Sequence, residues 1–490
     1  MLWRPWRRVT VATARRGHCP ALVINVSRRS APAGSRHCCS RAGTTTAATS
    51  AATSPLDCRT SGNHVVVGMS GGVDSSVAAV LLKRQGYHVT GVYMQNWDPS
   101  DEQGRAACPI DADYSDVENV CQQLNIEAKR VNLVQSYWNH VFAPCLDGYA
   151  QGLTPNPDVL CNREIKFKAF TDYAKMIGAD YVATGHYAAL RPVEAGSAAR
   201  CLYAARDRSK DQSYFLSSVS GSAFANVLFP LGDMDKTAVR RLAAQEGLCT
   251  ATKRDSVGMC FIGKRKFADF IHQYVQQQHG HFSSLEGARL HPHQGFAAYT
   301  VGQGARVPGM AAKWFVVGKH QRDHSVTIAQ GTRHPALFSD ALFASMGQFN
   351  WIAGQVPREL SASGGRLRCF YRVRYRQELD ECTVSLVSRA DARAGASTLS
   401  DWPTAHGALL DDEQEATGSN CYLRVDFDHP QRGIAPEQAL VLYRADGLCY
   451  GGGPIATAAQ TYYEQHKSVA DSVWDWHRQG QKEVVGRGAA

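Results

Sequence analysis

The sequence predicts an α/β protein with a doubly wound, Rossmann-like sheet, followed by a β-rich C-terminal module. Near the start of the fold, a buried strand pattern over 64–68 precedes a glycine loop and a helix-favouring run over 77–83. Apolar runs over 87–94 and 181–186 predict further strands of the same sheet. From about residue 335 to 460, short alternating patterns separated by turns predict a small β-barrel.

The composition is that of a globular protein, with 490 residues, 44% hydrophobic and 20% charged. It excludes collagen, coiled coil and a wholly disordered chain. No apolar run approaches the roughly 18 residues of a membrane span, so we expect no contact with a membrane. Fifteen cysteines without a C-x-x-C pair argue against a zinc ribbon or a thioredoxin-like site.

The formal charge of +9 belongs entirely to the first 56 residues, which contain nine arginines, no lysine and no acidic residue. Without them the chain has 44 basic and 44 acidic residues. A segment that is rich in Arg and Ser and lacks acidic residues is typical of an organelle transit peptide. The alternative is a basic tail that is not a targeting signal. We therefore expect residues 1–60 to lie outside the fold and to direct the protein to the mitochondrial matrix.

The string S-G-G-V-D-S, from Ser70 to Ser75, lies between the first strand and the first helix. Strand, glycine loop and helix present backbone N–H groups and a helix N-terminus to a phosphate. The hydroxyls of Ser70, Ser75 and Ser76 add possible donors. The string is neither a Walker A loop nor G-x-G-x-x-G, and a plain glycine turn at a helix cap is the alternative.

A second candidate site is the segment 154–162, T-P-N-P-D-V-L-C-N. Its two prolines predict a stiff loop ahead of a helix over 163–177. Asp158 and Cys161 converge if that loop turns into the helix, whose N-terminus would favour a thiolate. Taken alone, Cys161 would more often be a small buried residue. Cys260, between glycines and after two basic residues, predicts a mobile loop with positive surroundings.

Together these motifs resemble the ATP pyrophosphatases with a PP-loop and, among them, the tRNA-specific 2-thiouridylases. Long strings match in the family's order: T-P-N-P-D-x-L-C-N-x-x-I-K-F, A-T-G-H-Y, K-D-Q-S-Y-F-L and G-x-C-F-I-G, beginning at residues 154, 183, 210 and 258. The resemblance covers about 64–455. It implies a PP-loop ATP pyrophosphatase catalytic domain over 61–268, a tRNA-binding linking domain over 269–334, a C-terminal β-barrel over 335–465 and a tail over 466–490.

The resemblance also implies a reaction. ATP, with Mg²⁺, is split into AMP and pyrophosphate as the 2-oxygen of the wobble uridine of tRNA is adenylated. A persulfide sulfur on Cys260 then replaces AMP, by direct transfer or as hydrogen sulfide. Cys161 forms a transient disulfide with Cys260, which a thiol reductant opens in each cycle. Asp158 orients the base or takes a proton. The implied ATP-binding residues are Gly68, Met69, Ser70, Gly71, Gly72, Val73, Asp74, Ser75, Met94 and Gly185.

The implied RNA substrate is the anticodon loop, because a base must leave its stack to enter such a site. The implied tRNA-binding residues are Asn156, Pro157, Asp158, Lys210, Asp211, Gln212, Arg374 and Tyr375. Strand alternation adds a row of arginines on one face that is suited to phosphates: Arg366, Arg368, Arg372, Arg374 and Arg376. The chain departs from the family's G-Q-R at Gly302-Gln303-Gly304, so this loop is assigned no contact.

Three alternatives stay open at this point. Asp158, Cys161 and Cys260 could hold an iron–sulfur cluster instead of a persulfide. Another PP-loop pyrophosphatase, acting on a small molecule, would have no need of this Asp–Cys–Cys set. A tRNA-binding protein without catalysis would have no need of an intact S-G-G-V-D-S loop.

Overall fold

The computed structural model describes residues 63–98, 109–193, 199–255, 267–276, 278–401 and 421–477. The predicted transit segment and Cys260 lie outside these ranges. None of the helices within them is long and apolar enough to cross a membrane.

The helices and strands are numbered in chain order. The helices are α1 Val73–Arg84, α2 Pro109–Gln123, α3 Val134–Tyr137, α4 Ala143–Ala150, α5 Pro157–Leu160, α6 Phe170–Met176, α7 Ser213–Leu216, α8 Lys236–Gln245, α9 Phe267–Tyr274, α10 Arg358–Ser361 and α11 Arg389–Gly395. Wider π-helical turns, Trp138–Phe142 and Cys161–Ala169, join α3 to α4 and α5 to α6.

The strands form three main sheets and one hairpin. They are β1 His64–Met69, β2 His88–Gln95, β3 Glu127–Asn132, β4 Tyr181–Thr184, β5 Ala188–Pro192, β6 Arg200–Ala204, β7 Val227–Leu228, β8 Gly280–Ser283, β9 Arg289–His293, β10 Trp314–His320, β11 Ser325–Gln330, β12 Phe338–Ser345, β13 Asn350–Trp351, β14 Arg366–Arg372, β15 Asp380–Ser388, β16 Cys421–Arg432, β17 Ala439–Tyr443 and β18 Cys449–Ala458.

The first sheet is parallel, with the strand order β3-β2-β1-β4-β7. Strand β1 is buried on both faces, so consecutive valines pack into hydrophobic cores on opposite sides of the sheet. Val65 and Val67 pack with residues of α1, α2 and α8 on one side, whereas Val66 packs with Phe142 and Ile165 on the other. Helices therefore cover both faces, and the predicted doubly wound α/β fold is confirmed.

The second sheet is four-stranded, in the order β10-β11-β8-β9, and encloses a small core of its own that includes Phe282, Val316 and Ile328. The third sheet is antiparallel. Six of its strands follow the order β12-β16-β15-β14-β17-β18, and β18 pairs back to β12. This closure makes the predicted C-terminal β-barrel, and no edge is left among these six strands.

The prediction after His466 is a disordered or peripheral tail. Disorder is wrong up to His477, because residues 471–477 are helical, whereas a peripheral position agrees with the structure, because none of the residues 467–477 is buried. Trp474 packs on a core that includes Phe338, and its ring centre lies 4.8 Å from the guanidinium carbon of Arg333. Arg333 also donates to Asp471 at 2.8 Å. Polar composition concealed this helical turn, because its few apolar residues share one face.

Lys319 in β10 is a buried cation beside the chain segment that leads to α5. It is 6% exposed, its Nζ donates to the carbonyl oxygen of Tyr299 at 2.6 Å, and it lies 4.5 Å from the ring centre of Phe296. Burial lowers its pKa from the ordinary 10.5 to about 7. The unfolded chain therefore binds this proton more tightly than the folded protein between about pH 7 and 10.5, so Lys319 weakens the fold fully below about pH 7 and progressively less as the pH rises.

We expect the wild-type free energy of unfolding to gain up to about 1.4 kcal/mol per pH unit from this residue between pH 7.5 and 9.5. Lys319→Met should lack that gain, and urea unfolding at several pH values measures the difference between the two proteins. The exposed Lys313, changed to Met, is the control and should follow the wild type. Parallel pH profiles for wild type and Lys319→Met would contradict the assignment.

Candidate active site

The glycine loop follows β1 at the point where the sheet order reverses, with β2 on one side of β1 and β4 on the other. Open α/β sheets bind their ligands at such a point. Gly71 has φ +71°, and a Cβ there would lie 2.5 Å from the carbonyl oxygen of Asp113, so this turn requires glycine. Gly72, the residue before α1, has no side chain to cover the helix N-terminus.

The loop's hydroxyl groups largely bind the loop itself. Ser75 Oγ accepts from the Ser70 amide at 3.1 Å and donates to the carbonyl of Gly72 at 3.1 Å. Ser76 Oγ donates to the same carbonyl at 2.9 Å. These bonds hold the turn, and the phosphate-binding capacity of the loop lies mainly in its backbone N–H groups.

Both other residues predicted to bind ATP lie beside this loop. A Cβ on Gly185, after β4, would lie 2.7 Å from the Ser75 amide nitrogen, so the two backbones touch. Met94 at the end of β2 approaches Gly68, where a Cβ would lie 3.1 Å from the Met94 methyl group. The structure thus brings the predicted ATP-binding residues together at one edge of the sheet, although their contact with ATP stays a prediction.

Asp74 is the carboxylate of the loop, and its surroundings contain two residues that sequence reasoning missed. Lys236 Nζ lies 2.8 Å from both carboxylate oxygens of Asp74, and the hydroxyl of Tyr187 donates to Oδ1 at 2.8 Å. Lys236 also lies 2.9 Å from Asp255. One signal was present: Lys236 begins α8, where the helix dipole disfavours a cation unless a carboxylate lies opposite.

The second candidate segment is helical where a loop was predicted. Pro157 is the first residue of α5, a position that proline tolerates well. Asn156 caps the helix, because its Oδ1 accepts from the amides of Asp158 and Val159 at 3.1 and 3.3 Å. Asp158 and Cys161 therefore lie in the first turns of one helix. The prediction of a stiff loop up to residue 162 is wrong, because Asn-Pro begins this helix.

The entry to this helix is fixed by the other two sheets. The Thr154 amide donates to the carbonyl of Pro436 at 3.1 Å, and Gln438 Nε2 donates to the carbonyl of Thr154 at 2.7 Å. Thr154 Oγ1 donates to Thr300 Oγ1 at 3.4 Å. The barrel and the second sheet thus both position the catalytic segment.

Asp158 and Cys161 have different environments although they share a turn. Asp158 retains exposed surface, yet the protein around its carboxyl group desolvates it and raises its pKa, an effect that Lys166 opposes. Cys161 is 7% exposed and lies in the core with Ile165 and Phe170. A raised pKa makes Asp158 a better proton acceptor than an ordinary aspartate.

His186, of the A-T-G-H-Y string, is a buried neutral imidazole in this site. It lies 2.6 Å from Thr184 Oγ1 and 3.3 Å from Lys166 Nζ. Burial lowers its pKa well below the usual range, and the nearby ammonium of Lys166 lowers it further. His186 therefore accepts or donates hydrogen bonds at neutral pH without carrying charge.

Two of the residues predicted to contact tRNA, Asp211 and Tyr375, make contacts between the catalytic domain and the barrel. Asp211 is 1% exposed, and its Oδ2 accepts from Arg372 Nη1 at 2.6 Å across the boundary between the catalytic domain and the barrel. Tyr375 lies against Phe215, with ring centres 4.3 Å apart. Gln212 binds the backbone of Tyr187. The Asp211 carboxylate is buried and paired in this structure, and its contact with tRNA stays a prediction.

The predicted row of five arginines is also wrong as a single free surface. Strand β14 ends at Arg372, which turns inward to Asp211. Arg368 pairs with Glu381 and Asp428. Arg374 donates to the carbonyls of Arg432, the last residue of β16, and of Gly433, which follows it. Alternation alone could not reveal which arginines already have acidic or carbonyl partners.

A cavity of about 400 Å³ lies between the catalytic helix and the barrel. Asn156 and Arg163 line one side, and Gln348 and Gly453 line the other. No group of three or more His, Cys, Asp or Glu side chains suited to a metal occurs in the portion of the chain that the structure describes. Cys260 lies outside that portion, so the persulfide and iron–sulfur hypotheses both stay predictions.

Family models match three successive parts of the chain. They are described as a tRNA methyl transferase HUP domain over residues 63–264, a tRNA methyl transferase PRC-barrel domain over 268–330 and an aminomethyltransferase beta-barrel domain over 415–455. A tRNA-specific 2-thiouridylase MnmA of Staphylococcus carnosus is 44% identical over 394 residues, which cover 80% of this chain and 95% of that protein. The chain belongs to the tRNA-specific 2-thiouridylase family.

A second relative agrees in coverage, whereas a solved structure matches a smaller part of the chain. The tRNA-specific 2-thiouridylase MnmA of Staphylococcus aureus is 43% identical over the same shares of both chains. Among solved structures, a 4-thiouridine synthetase–RNA complex with bound ATP aligns over 44% of this chain and 50% of that one, at 17% identity and a TM-score of 0.26. That last likeness is too low to carry an argument.

Because the ion pair between Asp211 and Arg372 is buried, removing one partner should lower the free energy of unfolding strongly. Arg372→Met leaves the Asp211 carboxylate buried without its cation, and we expect a loss of about 3–5 kcal/mol in the free energy of unfolding. Adding Asp211→Asn should restore part of it. Urea unfolding measures both, with Arg366→Met on the same strand as an exposed control. Equal stability of the Arg372 and Arg366 variants would contradict this account.

Two variants of Asn156 can separate its role as a helix cap from its predicted contact with the base. Asn156→Ala removes the capping oxygen and should cost about 1 kcal/mol of stability. Asn156→Asp keeps that oxygen and should retain stability while losing the amide donor. A thiolation rate that falls in both variants indicates base contact, whereas a loss confined to Ala indicates capping alone.

Proposed function

We propose that this enzyme is a tRNA uridine 2-sulfurtransferase, which uses ATP to replace the 2-oxygen of the wobble uridine of mitochondrial tRNA with sulfur. The observation that carries the proposal is the S-G-G-V-D-S loop at the switch point of the sheet, in a chain with the Asp158–Cys161 turn and 44% identity to a tRNA-specific 2-thiouridylase. The loop supplies ATP chemistry, and the cysteine supplies a group that can handle sulfur.

In the first step the uracil 2-oxygen attacks the α-phosphorus of ATP. The bond from that phosphorus to the bridging oxygen breaks, and pyrophosphate leaves. The backbone N–H groups of 70–72 and the N-terminus of α1 face the negative charge of the pyrophosphate, which favours its departure. Magnesium, when bound with ATP, would neutralise phosphate charge, and Asp74 is the oxygen ligand that the loop offers to such a cation.

In the second step the terminal sulfur of a Cys260 persulfide bonds to carbon 2, and AMP leaves with the former 2-oxygen. The thiolate of Cys161 then attacks the Cys260 sulfur, so that the sulfur–sulfur bond breaks and 2-thiouridine departs. A Cys161–Cys260 disulfide results, and two electrons from a thiol reductant restore both cysteines. Asp158, with its raised pKa, accepts the proton that the reaction releases near the base.

The tRNA must present an unstacked base to this site. The cavity between the catalytic helix and the barrel has room for nucleotides next to the reacting one, and Arg163 and Asn156 offer donors to them. Lys210 lies at the boundary of the catalytic domain, where its ammonium pairs with Asp255 at 3.2 Å and retains 40% of its side-chain surface. Local cations of this kind supply the affinity for RNA, since the chain after residue 56 is formally neutral.

The mitochondrial matrix is the proposed location. Its support is the composition of the first 56 residues, with nine arginines and no acidic residue. Fusion of residues 1–62 to a fluorescent protein tests this point, because the fusion should enter mitochondria and the same protein with its arginines changed to glutamine should not.

Cys260→Ser provides the main test of the mechanism. The variant should retain tRNA-dependent release of pyrophosphate from ATP and lose 2-thiouridine, because serine can take part in folding but cannot carry persulfide sulfur. Radiolabelled pyrophosphate measures the first step, and mass spectrometry of tRNA nucleosides measures the second.

Two controls make the result decisive. Cys249→Ser changes an exposed cysteine of the same domain and should retain both steps. Iron and sulfide analysis of anaerobically purified protein addresses the cluster, which Cys260→Ser would remove if it existed. Formation of 2-thiouridine by Cys260→Ser would refute the persulfide assignment, and absence of pyrophosphate release from the wild type with any tRNA would refute the proposed function.

A further inference from the structure

The phosphate-loop carboxylate has two strong partners, and one of them lies in the protein core. Tyr187 is 3% exposed and packs with Val73, Val77 and Leu231. Its hydroxyl is 2.8 Å from Asp74 Oδ1. A buried phenol has few orientations available, so this bond fixes the direction of the Asp74 carboxylate more firmly than a flexible surface residue could.

Tyr187 is itself held from both sides by Gln212. The Gln212 amide donates to the carbonyl of Tyr187 at 2.7 Å, and the Tyr187 amide donates to Gln212 Oε1 at 3.0 Å. The preceding residue, Asp211, makes the buried ion pair with Arg372 of the barrel. An unbroken chain of contacts therefore runs from the barrel to the phosphate loop.

Lys236 makes the direction of Asp74 chemically important. Its ammonium contacts both oxygens of Asp74 and also Asp255, so it is shared between two carboxylates at the loop. The Tyr187 hydroxyl donates to one of the same oxygens, and it stays protonated because burial and the neighbouring Asp74 both raise its pKa. The hydroxyl and the ammonium thus share Oδ1, and together they restrict the orientation of the Asp74 carboxylate.

We propose that Tyr187 is a positioning residue for ATP, which holds Asp74 in the orientation that the phosphate loop needs, and that Gln212 keeps Tyr187 in place from the boundary with the barrel. This proposal rests on the proposed function, since it concerns the same ATP site. It assigns a role to a tyrosine whose phenol makes no other hydrogen bond among those described for the site.

The test is Tyr187→Phe in the full chain, which keeps the ring in the core and removes only the hydroxyl. The ATP concentration for half-maximal pyrophosphate release should rise about tenfold, because one hydrogen bond to a charged group is lost, while the affinity for tRNA stays unchanged. Gln212→Ala should change the ATP dependence in the same direction by a smaller factor.

Tyr462→Phe is a matched control, because Tyr462 in the barrel also donates to an aspartate, Asp340 Oδ1, at 2.8 Å. It should leave the ATP dependence as in the wild type. A double-mutant cycle combines Tyr187→Phe with Asp74→Asn. Its readout is the equilibrium affinity for ATP, so it can be measured even if a variant has lost turnover. The effect of Tyr187→Phe should shrink at least fivefold in the Asp74→Asn background.

Outcomes that overturn the proposal are distinct from a failure of the function. An unchanged ATP dependence in Tyr187→Phe, or equal effects of this change with and without Asp74, would overturn it while wild-type pyrophosphate release continued. A loss of folding in Tyr187→Phe well beyond that of Tyr462→Phe, without any coupling to Asp74, would make Tyr187 a core residue only. Absence of wild-type pyrophosphate release would instead remove the proposed function.

Discussion

The ion pair between Asp211 and Arg372 is the constraint on which the arrangement of the catalytic domain and the barrel depends. Their side chains are 0% and 3% exposed, so neither charge has water as an alternative partner. Breaking the pair leaves a buried charge, whereas keeping it requires β14 to lie against the turn that holds Gln212. The pair therefore fixes one register between the two domains, and with it the positions of Tyr187 and Tyr375.

The barrel also holds the start of the helix that carries Asp158 and Cys161, because Thr154 is bound by Pro436 and Gln438. The phosphate loop lies at the switch point between β1 and β4, and its contact with the boundary of the barrel runs through Tyr187 and Gln212. The phosphate loop is built within one domain, whereas the helix that carries Asp158 and Cys161 and the cavity beside it are completed by contacts between domains.

Much of this organisation could be predicted from the sequence. The buried valines of β1 and the S-G-G-V-D-S string predict the sheet and its phosphate loop from local pattern alone, and both are confirmed as structure. The pattern was less informative where a residue's partner is distant in sequence. Asp211, from the family resemblance, and Arg372, from strand alternation, are predicted to meet RNA until their pairing is seen. The position of Lys236 at the start of a helix indicates a carboxylate partner without identifying it.

Helix boundaries show the same limit on a smaller scale. The two prolines of 154–162 predict a loop, yet Asn156 and Pro157 are a favourable cap and first residue, and the helix starts there. The prolines alone indicate a loop, whereas the order Asn-Pro places a cap before a proline in the first turn. The barrel also holds the backbone of Thr154 ahead of this cap.

The bond between Gln438 and Thr154 joins residues 284 positions apart. A ribosome adds about 5–20 residues per second, so tens of seconds separate the synthesis of these two partners. The catalytic helix emerges early without its anchor and acquires it only after β17 and β18 have been made. The surroundings of Asp158 and Cys161 are therefore completed late in synthesis, and an unfinished polypeptide has the phosphate loop before the cavity between this helix and the barrel has formed.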